Sequence, residues 1–232
     1  MTAEDPRRRS KPRLWDTDWL ILRALSKTVE RAIGESIARN EQLLDFGCGS
    51  MPYRSTVERL GAKYLGADFS GGMLQISPEG LLPVADRSVD AVLSVQVLEH
   101  VRDLDRYLGE ASRVLKDDGV LLLSTHGTWL FHPHPEDHRR WTRTGLVVDV
   151  EARGFAVEKI EGLVGPLATT TMIRLTGFAY FVRRLLIVGQ LIAGLFAVAM
   201  NLKGLIEDYL TPSNLIQDNG CIYMIRCRKA GT

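Results

Sequence analysis

The chain has 232 residues and 25.9 kDa, which fits one α/β domain with some elaboration. A hydrophobic fraction of 45% is ample for a core, while a net charge of +1 and a pI of about 7.8 give no reason to expect a nucleic-acid partner. The three cysteines, at 48, 221 and 227, show no disulfide or metal spacing and suit reduced cytosolic thiols, and no signal peptide is expected because no apolar run follows the first arginines.

The chain opens on Arg7-Arg8-Arg9 with Lys11 and Arg13, beside Pro6 and Pro12, which reads as a solvated tail; contact with an anionic lipid or nucleic acid is the alternative. Trp15, Trp19, Leu22 and Leu25 recur at helical spacing and predict a helix within 14–39, capped by Asp16 or Thr17 and interrupted at Gly34. Next comes Leu43-Leu44-Asp45-Phe46-Gly47-Cys48-Gly49, an apolar strand running into an acid and a G-x-G loop. Such a loop lets backbone pass close to a ligand, since glycine has no Cβ and tolerates positive φ. A dinucleotide fingerprint would need glycine at position 52, where Pro52 stands, and this argues against NAD or FAD. A crossover helix is expected over 52–60, ended by Gly61. The strand Lys63–Asp68 ends in an acid about 20 residues after the loop, where a carboxylate can accept ribose hydroxyls. A strand at 91–95, a helix at 104–115 and a strand at 120–124 follow; Thr142 caps a helix over 143–153 closed by Gly154, and strands are expected at 155–160 and 222–228.

Asp45 to Gly49 resembles the D-x-G-x-G first motif of the class I S-adenosylmethionine (SAM) methyltransferases. Leu82-Pro83-Val84, Ser88-Val89-Asp90, Val97-Leu98-Glu99-His100-Val101 and Arg113 to Gly119 resemble further motifs of that family, in its order. The resemblance covers about 41–160 and 221–229. It implies an α/β, Rossmann-like seven-stranded sheet with helices on both faces and an antiparallel last strand. The expected organisation is a basic tail and N-terminal helical lid (1–40), a SAM-binding core (41–164), an apolar helical insertion (165–218) and the last strand (219–232). SAM is the implied cofactor. The backbone of Gly47, Cys48 and Gly49 would pass under its methionine and ribose parts, Asp45 would sit near the ammonium, Asp68 would take the ribose and Phe69 would flank the adenine. Pro78 stands where the family often has an Asp for the adenine amine, which leaves Glu79 as the candidate. Ser94 and Gln96, at the end of the fourth strand, would face the methyl-transfer point.

Two regions bear on the acceptor. Four of the five histidines, His126, His132, His134 and His138, fall after the fifth strand. The segment from Phe131 to Thr142 resembles the HPHP-x-D-x-x-R-[WF]-T segment of methyltransferases associated with bacterial polysaccharide and glycolipid biosynthesis. It reads as a structural loop pinned by Asp137 and Arg140 over a buried Trp141, as a substrate site with a histidine base, or as a metal site from His132, His134 and His138. The catalytic candidates are His134, His138 and Asp137, and no metal is assigned, because the histidines show no regular ligand spacing. The second region is 185–202, apolar and without formal charge, near the lower length limit of a membrane span. A true span is not expected, since the last strand must return to the same sheet. A buried core or homodimer contact competes with a membrane-surface or lipid-tail contact, to which Arg183 and Arg184 would add headgroup attraction.

The expected function is SAM-dependent O-methylation of a glycan, glycolipid or other amphipathic metabolite by a cytoplasmic enzyme, peripheral at the inner face of the membrane. Methylation of a carboxylate or of a quinone-like lipid is the alternative within the class. An inactive SAM-binding partner subunit is the alternative outside it.

Overall fold

The computed structural model describes residues 8–133, 136–184 and 186–231. In chain order these form α1 (Trp19–Ser36), β1 (Gln42–Phe46), α2 (Arg54–Arg59), β2 (Lys63–Asp68), β3 (Leu74–Gln75), β4 (Val89–Val95), a 3₁₀ turn (Leu98–His100), α3 (Leu104–Val114) and β5 (Leu115–His126). Then come α4 (Arg143–Glu151), β6 (Phe155–Leu163), α5 (Pro166–Val182), α6 (Leu186–Leu210), α7 (Ser213–Asp218) and β7 (Ile222–Lys229). The strands make one seven-stranded sheet in the order β3-β2-β1-β4-β5-β7-β6. The β1–β2, β2–β3, β1–β4 and β4–β5 pairs are parallel, and β7 runs antiparallel between β5 and β6.

Successive strand residues point to opposite faces, so each buried strand feeds two cores. Leu43 and Leu122 pack on one face with Leu25, Val29 and Ile33 of α1. Leu44, Leu121 and Leu123 pack on the other with Leu108 and Ala111 of α3 and Leu146 and Val150 of α4. Asp103 caps α3 by accepting the Arg106 N–H, and Thr142 caps α4 by accepting the Gly145 N–H, as that residue's place in the sequence predicts.

Several local expectations are corrected. α1 begins later than its tryptophan spacing suggests, because Arg13 and Asp16 close a turn ahead of it and Trp15 stays exposed. Neither Asp16 nor Thr17 caps it; Asp18 occupies that position, its carboxylate paired with Arg8, and Gly34 lies inside the helix. α1 packs as a core layer, with Leu20, Leu25, Val29 and Ile33 buried against the sheet, which is compatible with its expected place as a lid. β5 is far longer than its apolar run, for Leu115 already pairs with Val89 before a bulge. β3 has no signal in the sequence and exists only by pairing with Ala67 and Asp68.

The insertion before β7 holds α5, α6 and the short α7, and the first two pack on the α1 face. Ala168, Met172 and Leu175 of α5 and Ala197 of α6 join that core. α6 presents small or polar residues inward: Ala193, Ala197 and Asn201 are fully buried, while Leu195, Ile206 and Tyr209 are 75, 60 and 87% exposed. Small side chains let the two helices approach, and Phe178 and Phe196 meet at 4.1 Å between ring centroids. The Asn201 amide donates to the carbonyls of Leu14 and Asp16, both at 2.8 Å, tying α6 to the approach to α1.

Candidate active site

The loop after β1 is shaped by contacts on one side and space on the other. Gly47, at φ +85°, donates its N–H to Ala67 O, and a Cβ there would lie 2.6 Å from a Val97 methyl carbon. Gly49, at φ +49°, faces open space, for a Cβ would meet nothing within 4 Å. Its N–H donates to Asp68 Oδ2 at 2.8 Å, so the acid that ends β2 also holds the loop. Phe69, next to it, is 59% exposed. Asp45 is buried beneath the loop and accepts the Tyr64 hydroxyl at 2.6 Å; burial pushes its carboxyl up to about 7, and Arg9 of the basic segment pulls it down. Two carboxylates, an open glycine and an exposed aromatic ring thus share one mouth, a fit for a cationic adenosine derivative. Cys48 is buried, its thiol pushed up to about 12, and it serves the mouth through backbone. Glu79 lies in an exposed turn following β3, its carboxyl lowered by the Ser77 hydroxyl, and its backbone carbonyl accepts from Arg106.

The two residues predicted at the end of β4 part company. Ser94 is fully buried with its Oγ 2.8 Å from the Tyr107 hydroxyl, which donates to Phe46 O. It ties β4 to α3 inside the molecule and does not face the transfer point, because its alternation along the strand turns it to the α3 face. Gln96 sits at φ +55° where β4 ends; its Nε2 donates to Ser124 Oγ, and its Oε1 is buried without a partner.

The segment after β5 folds back over the ends of β4 and β5. His138 N–H donates to Glu99 O at 2.8 Å and Trp141 N–H to His126 O at 3.1 Å. Asp137, predicted as catalytic, is the clamp of this fold. It is nearly fully buried, accepts the His132 N–H, and takes Arg140 through both oxygens at 2.5 and 2.7 Å. Arg140 holds its carboxyl well below the usual carboxylate range, so it is no base at neutral pH. Arg140 also donates to Leu130 O, and Trp141, buried, donates to Asp149. His138 contacts the Glu136 carboxylate at 3.0 Å, and His134 lies outside the described residues.

The structure gathers a different set. Glu99, from the 3₁₀ turn, is fully buried; Thr125 donates to its Oε2 at 2.9 Å, and burial pushes its carboxyl up to about 7. His126 Nε2 lies 3.5 Å from its other oxygen. His132 stands edge-on to both His126 and His100, with ring centroids 4.9 and 5.1 Å away. Burial lowers the pKa of His126 far and of His132 moderately, so both are neutral at pH 7. Sequence reasoning named these histidines but not their meeting with Glu99, which joins segments about 30 residues apart. The glutamate beside His100 in the Leu98-Glu99-His100 run was the available signal.

A cleft of 510 Å³ opens elsewhere, between residues 10–12, α1 and α2, with Lys11, Arg23, Lys27 and Arg59 on its walls. It contains none of the predicted site residues, and its basic walls oppose a cationic ligand, so the glycine mouth is the better candidate.

Residues 44–123 match the family model described as Methyltransferase domain. A demethylmenaquinone methyltransferase of Tropheryma whipplei is 36% identical over 101 residues, 38% of this chain and 42% of that protein. A ubiquinone biosynthesis O-methyltransferase of Pelagibacter ubique is 30% identical over 104 residues, again 38% and 42%. The chain thus spans about two fifths of the length of these relatives. Among solved structures, a SAM-dependent methyltransferase from Aquifex aeolicus superposes with a TM-score of 0.52 at 18% identity, covering 68% of this chain and 93% of that one. The cyclase SpnF superposes with a TM-score of 0.59 at 18% identity, covering 89% and 82%.

Proposed function

We propose that this chain, which has the class I SAM-dependent methyltransferase fold and carries a methyltransferase domain over residues 44–123, transfers a methyl group from SAM to an oxygen of an amphipathic, lipid-tailed acceptor at a membrane surface. The observation that carries the reading is the mouth formed by Gly47, Gly49, Asp45 and Asp68, at the carboxyl ends of β1 and β2, where open α/β sheets bind ligands. The fold alone would not suffice, since one fold hosts many chemistries and a cyclase shares this one.

SAM, when bound, supplies an electrophilic methyl group on a sulfonium. Asp45, which a bound cation would favour in its ionised form, would answer the positive charge of the cofactor, Asp68 would accept from its ribose, and Phe69 would cover its adenine. Val97 fills the space behind Gly47 and keeps the loop where the backbone can pass close to the ligand. The neutral imidazoles of His126, the last residue of β5, and of His132 beyond it hold lone pairs suited to a hydroxyl proton.

The acceptor class follows from two supports. The named relatives act, by their names, in menaquinone and ubiquinone biosynthesis, which favours a quinone-like lipid over the glycolipid suggested by the histidine segment. The large apolar side chains Phe181 of α5 and Leu191, Leu195 and Ile206 of α6 are each at least 60% exposed, which supports an interaction surface here. The helix from Gly189 to Leu210 is apolar and long enough to span a bilayer, but β7 must return to the sheet after it, so we assign it to the membrane surface. The Asn201 contacts hold Leu14 and Asp16 to α6, just after the basic run that ends at Arg13, which would add attraction to anionic headgroups.

The test incubates the protein with SAM and liposomes carrying a demethylated isoprenoid hydroquinone or a glycolipid, and measures S-adenosylhomocysteine and methylated product. The reading expects turnover on the hydroquinone and flotation with anionic liposomes, both reduced by Leu191→Asp with Leu195→Asp. Turnover only on the glycolipid would replace the ring by a sugar. Flotation failure with a stable dimer that the double variant splits would move the surface to a subunit contact.

A further inference from the structure

We propose that Glu99, His100 and His132 form a binding site for a divalent transition-metal ion of the zinc type. One donor atom from each residue lies within 4.8 Å of those from the other two. The Nδ1 of His100 is 2.5 Å from Glu136 O, and that of His132 is 3.1 Å from Leu130 O. A carbonyl only accepts, so His100 Nδ1 carries the hydrogen and its lone pair is on Nε2; the Leu130 contact favours the same tautomer for His132, whose Nδ1 also lies 3.4 Å from the Arg140 Nη2. Histidines that ligate metals are held in this way, their other N–H donated to a carbonyl or carboxylate. Glu99 repeats the pattern, with Oε2 fixed by Thr125 and Oε1 buried without a hydrogen-bond partner among the described residues. His126 does not satisfy that oxygen, because 3.5 Å is beyond a normal N–H···O bond. The nearest guanidinium does not either, since Arg140 is taken by Asp137. One lone-pair atom from each imidazole and one from the buried Glu99 carboxyl are thus gathered within 4.8 Å of one another, an arrangement that a bound cation, with Glu99 ionised, makes attractive.

Two imidazoles and one carboxylate favour zinc, iron, cobalt or nickel over magnesium, which prefers oxygen and octahedral hydration. Three protein ligands also leave a coordination position open. The site begins two residues beyond Val97, which touches the glycine loop, so an acceptor oxygen bound at the open position would lie on the transfer side of the sheet. Its use there, to bind the acceptor as an oxyanion in place of a free imidazole base, rests on the methyltransferase reading; the binding of the ion does not.

The protein, stripped with a chelator and dialysed, is titrated with Zn²⁺ and, separately, Mg²⁺ by calorimetry, and S-adenosylhomocysteine is titrated in parallel. We expect one Zn²⁺ per chain and much weaker Mg²⁺ binding. His132→Ala, in a half-buried loop, should weaken Zn²⁺ by at least about 10–100-fold with the melting temperature of the metal-free protein preserved. Glu99→Gln should do the same where it folds. S-adenosylhomocysteine affinity should be unchanged in His132→Ala. Absence of stoichiometric Zn²⁺ binding, or parental binding by His132→Ala, overturns the proposal. Zn²⁺ binding without S-adenosylhomocysteine binding would keep the metal site and remove the methyltransferase reading; the reverse would do the opposite.

Discussion

Leu121, Leu122 and Leu123 of β5 are each 0% exposed, whereas Leu191 and Leu195 of α6 are 67% and 75% exposed. Both segments are apolar runs of the same chain. In the strand, alternation sends large side chains to both cores, and helices cover both faces. In the helix, among the described residues, the fully buried stripe is small or polar, with Ala193, Ala197 and Asn201, while Phe196, Met200 and Leu205 are only partly buried against the core and Leu191, Leu195 and Ile206 turn out. Apolar content therefore does not say what is core. The placement of small residues does, because close helix contact needs them, and what remains outside is a surface requiring a lipid or a partner.

The largest expected contrast between the two regions is in stability. Leu122→Ala should cost ~2–5 kcal/mol by transfer and cavity terms. Urea denaturation of the two single variants, Leu122→Ala and Leu195→Ala, checks this; equal costs would break the comparison and make α6 part of the core.

Asp68→Ala should come next. The loss of one charge-assisted hydrogen bond of ~1.5–3 kcal/mol predicts roughly 10–150-fold weaker binding of both SAM and S-adenosylhomocysteine. The same acid holds Gly49 N–H, so part of the loss acts through the loop. Competition binding with adenosine, which keeps the ribose but lacks the sulfonium, separates this site from one on the basic cleft beside α1.

A third effect concerns Asp45, whose folded pKa is about 7. An acid raised in the folded state holds its proton there while the unfolded chain, with a carboxyl near ~3.9, has lost it. Its contribution is therefore present below about pH 4 and lost as pH rises to about 7, at no more than roughly 1.4 kcal/mol per unit. Asp45→Asn should flatten the stability–pH curve across that window. Identical slopes in the parent and variant would contradict the buried, protonated carboxyl.

The smallest effect is the other half of the first contrast. Leu195→Ala should stay within about 0.5 kcal/mol in free solution, as surface substitutions do. A larger loss only in the presence of liposomes would sharpen the reading of α6 as a lipid-facing surface.

Much of the core was legible in sequence because its signals are local. The Asp45–Gly49 loop, the acid ending β2 and the Thr142 cap each depend on a few adjacent residues, and each lies where its pattern places it. β3 was not legible, since two residues become a strand only through their neighbour. Ser94 was assigned from its place near the end of β4, and its buried contact with the Tyr107 hydroxyl of α3 has no local signal. The histidine region was legible in composition alone. The Asp137–Arg140 clamp over a buried Trp141 matches the structural-loop reading of that segment, whereas Glu99 joined the histidines because residues 136–141 fold back over the strand ends. Such meetings are non-local, and no spacing rule anticipates them.

The most direct test of the central claim is calorimetric titration of the purified protein with S-adenosylhomocysteine, the demethylated cofactor, beside the Gly47→Val variant. The account predicts one-to-one binding with a dissociation constant below about 1 mM, the upper end of ordinary enzyme affinities. It predicts no binding by Gly47→Val, whose side chain would collide with Val97 and whose φ of +85° disfavours any Cβ. No saturable heat from the parent protein, or equal binding by a folded Gly47→Val variant, would contradict the assignment of this mouth to the cofactor.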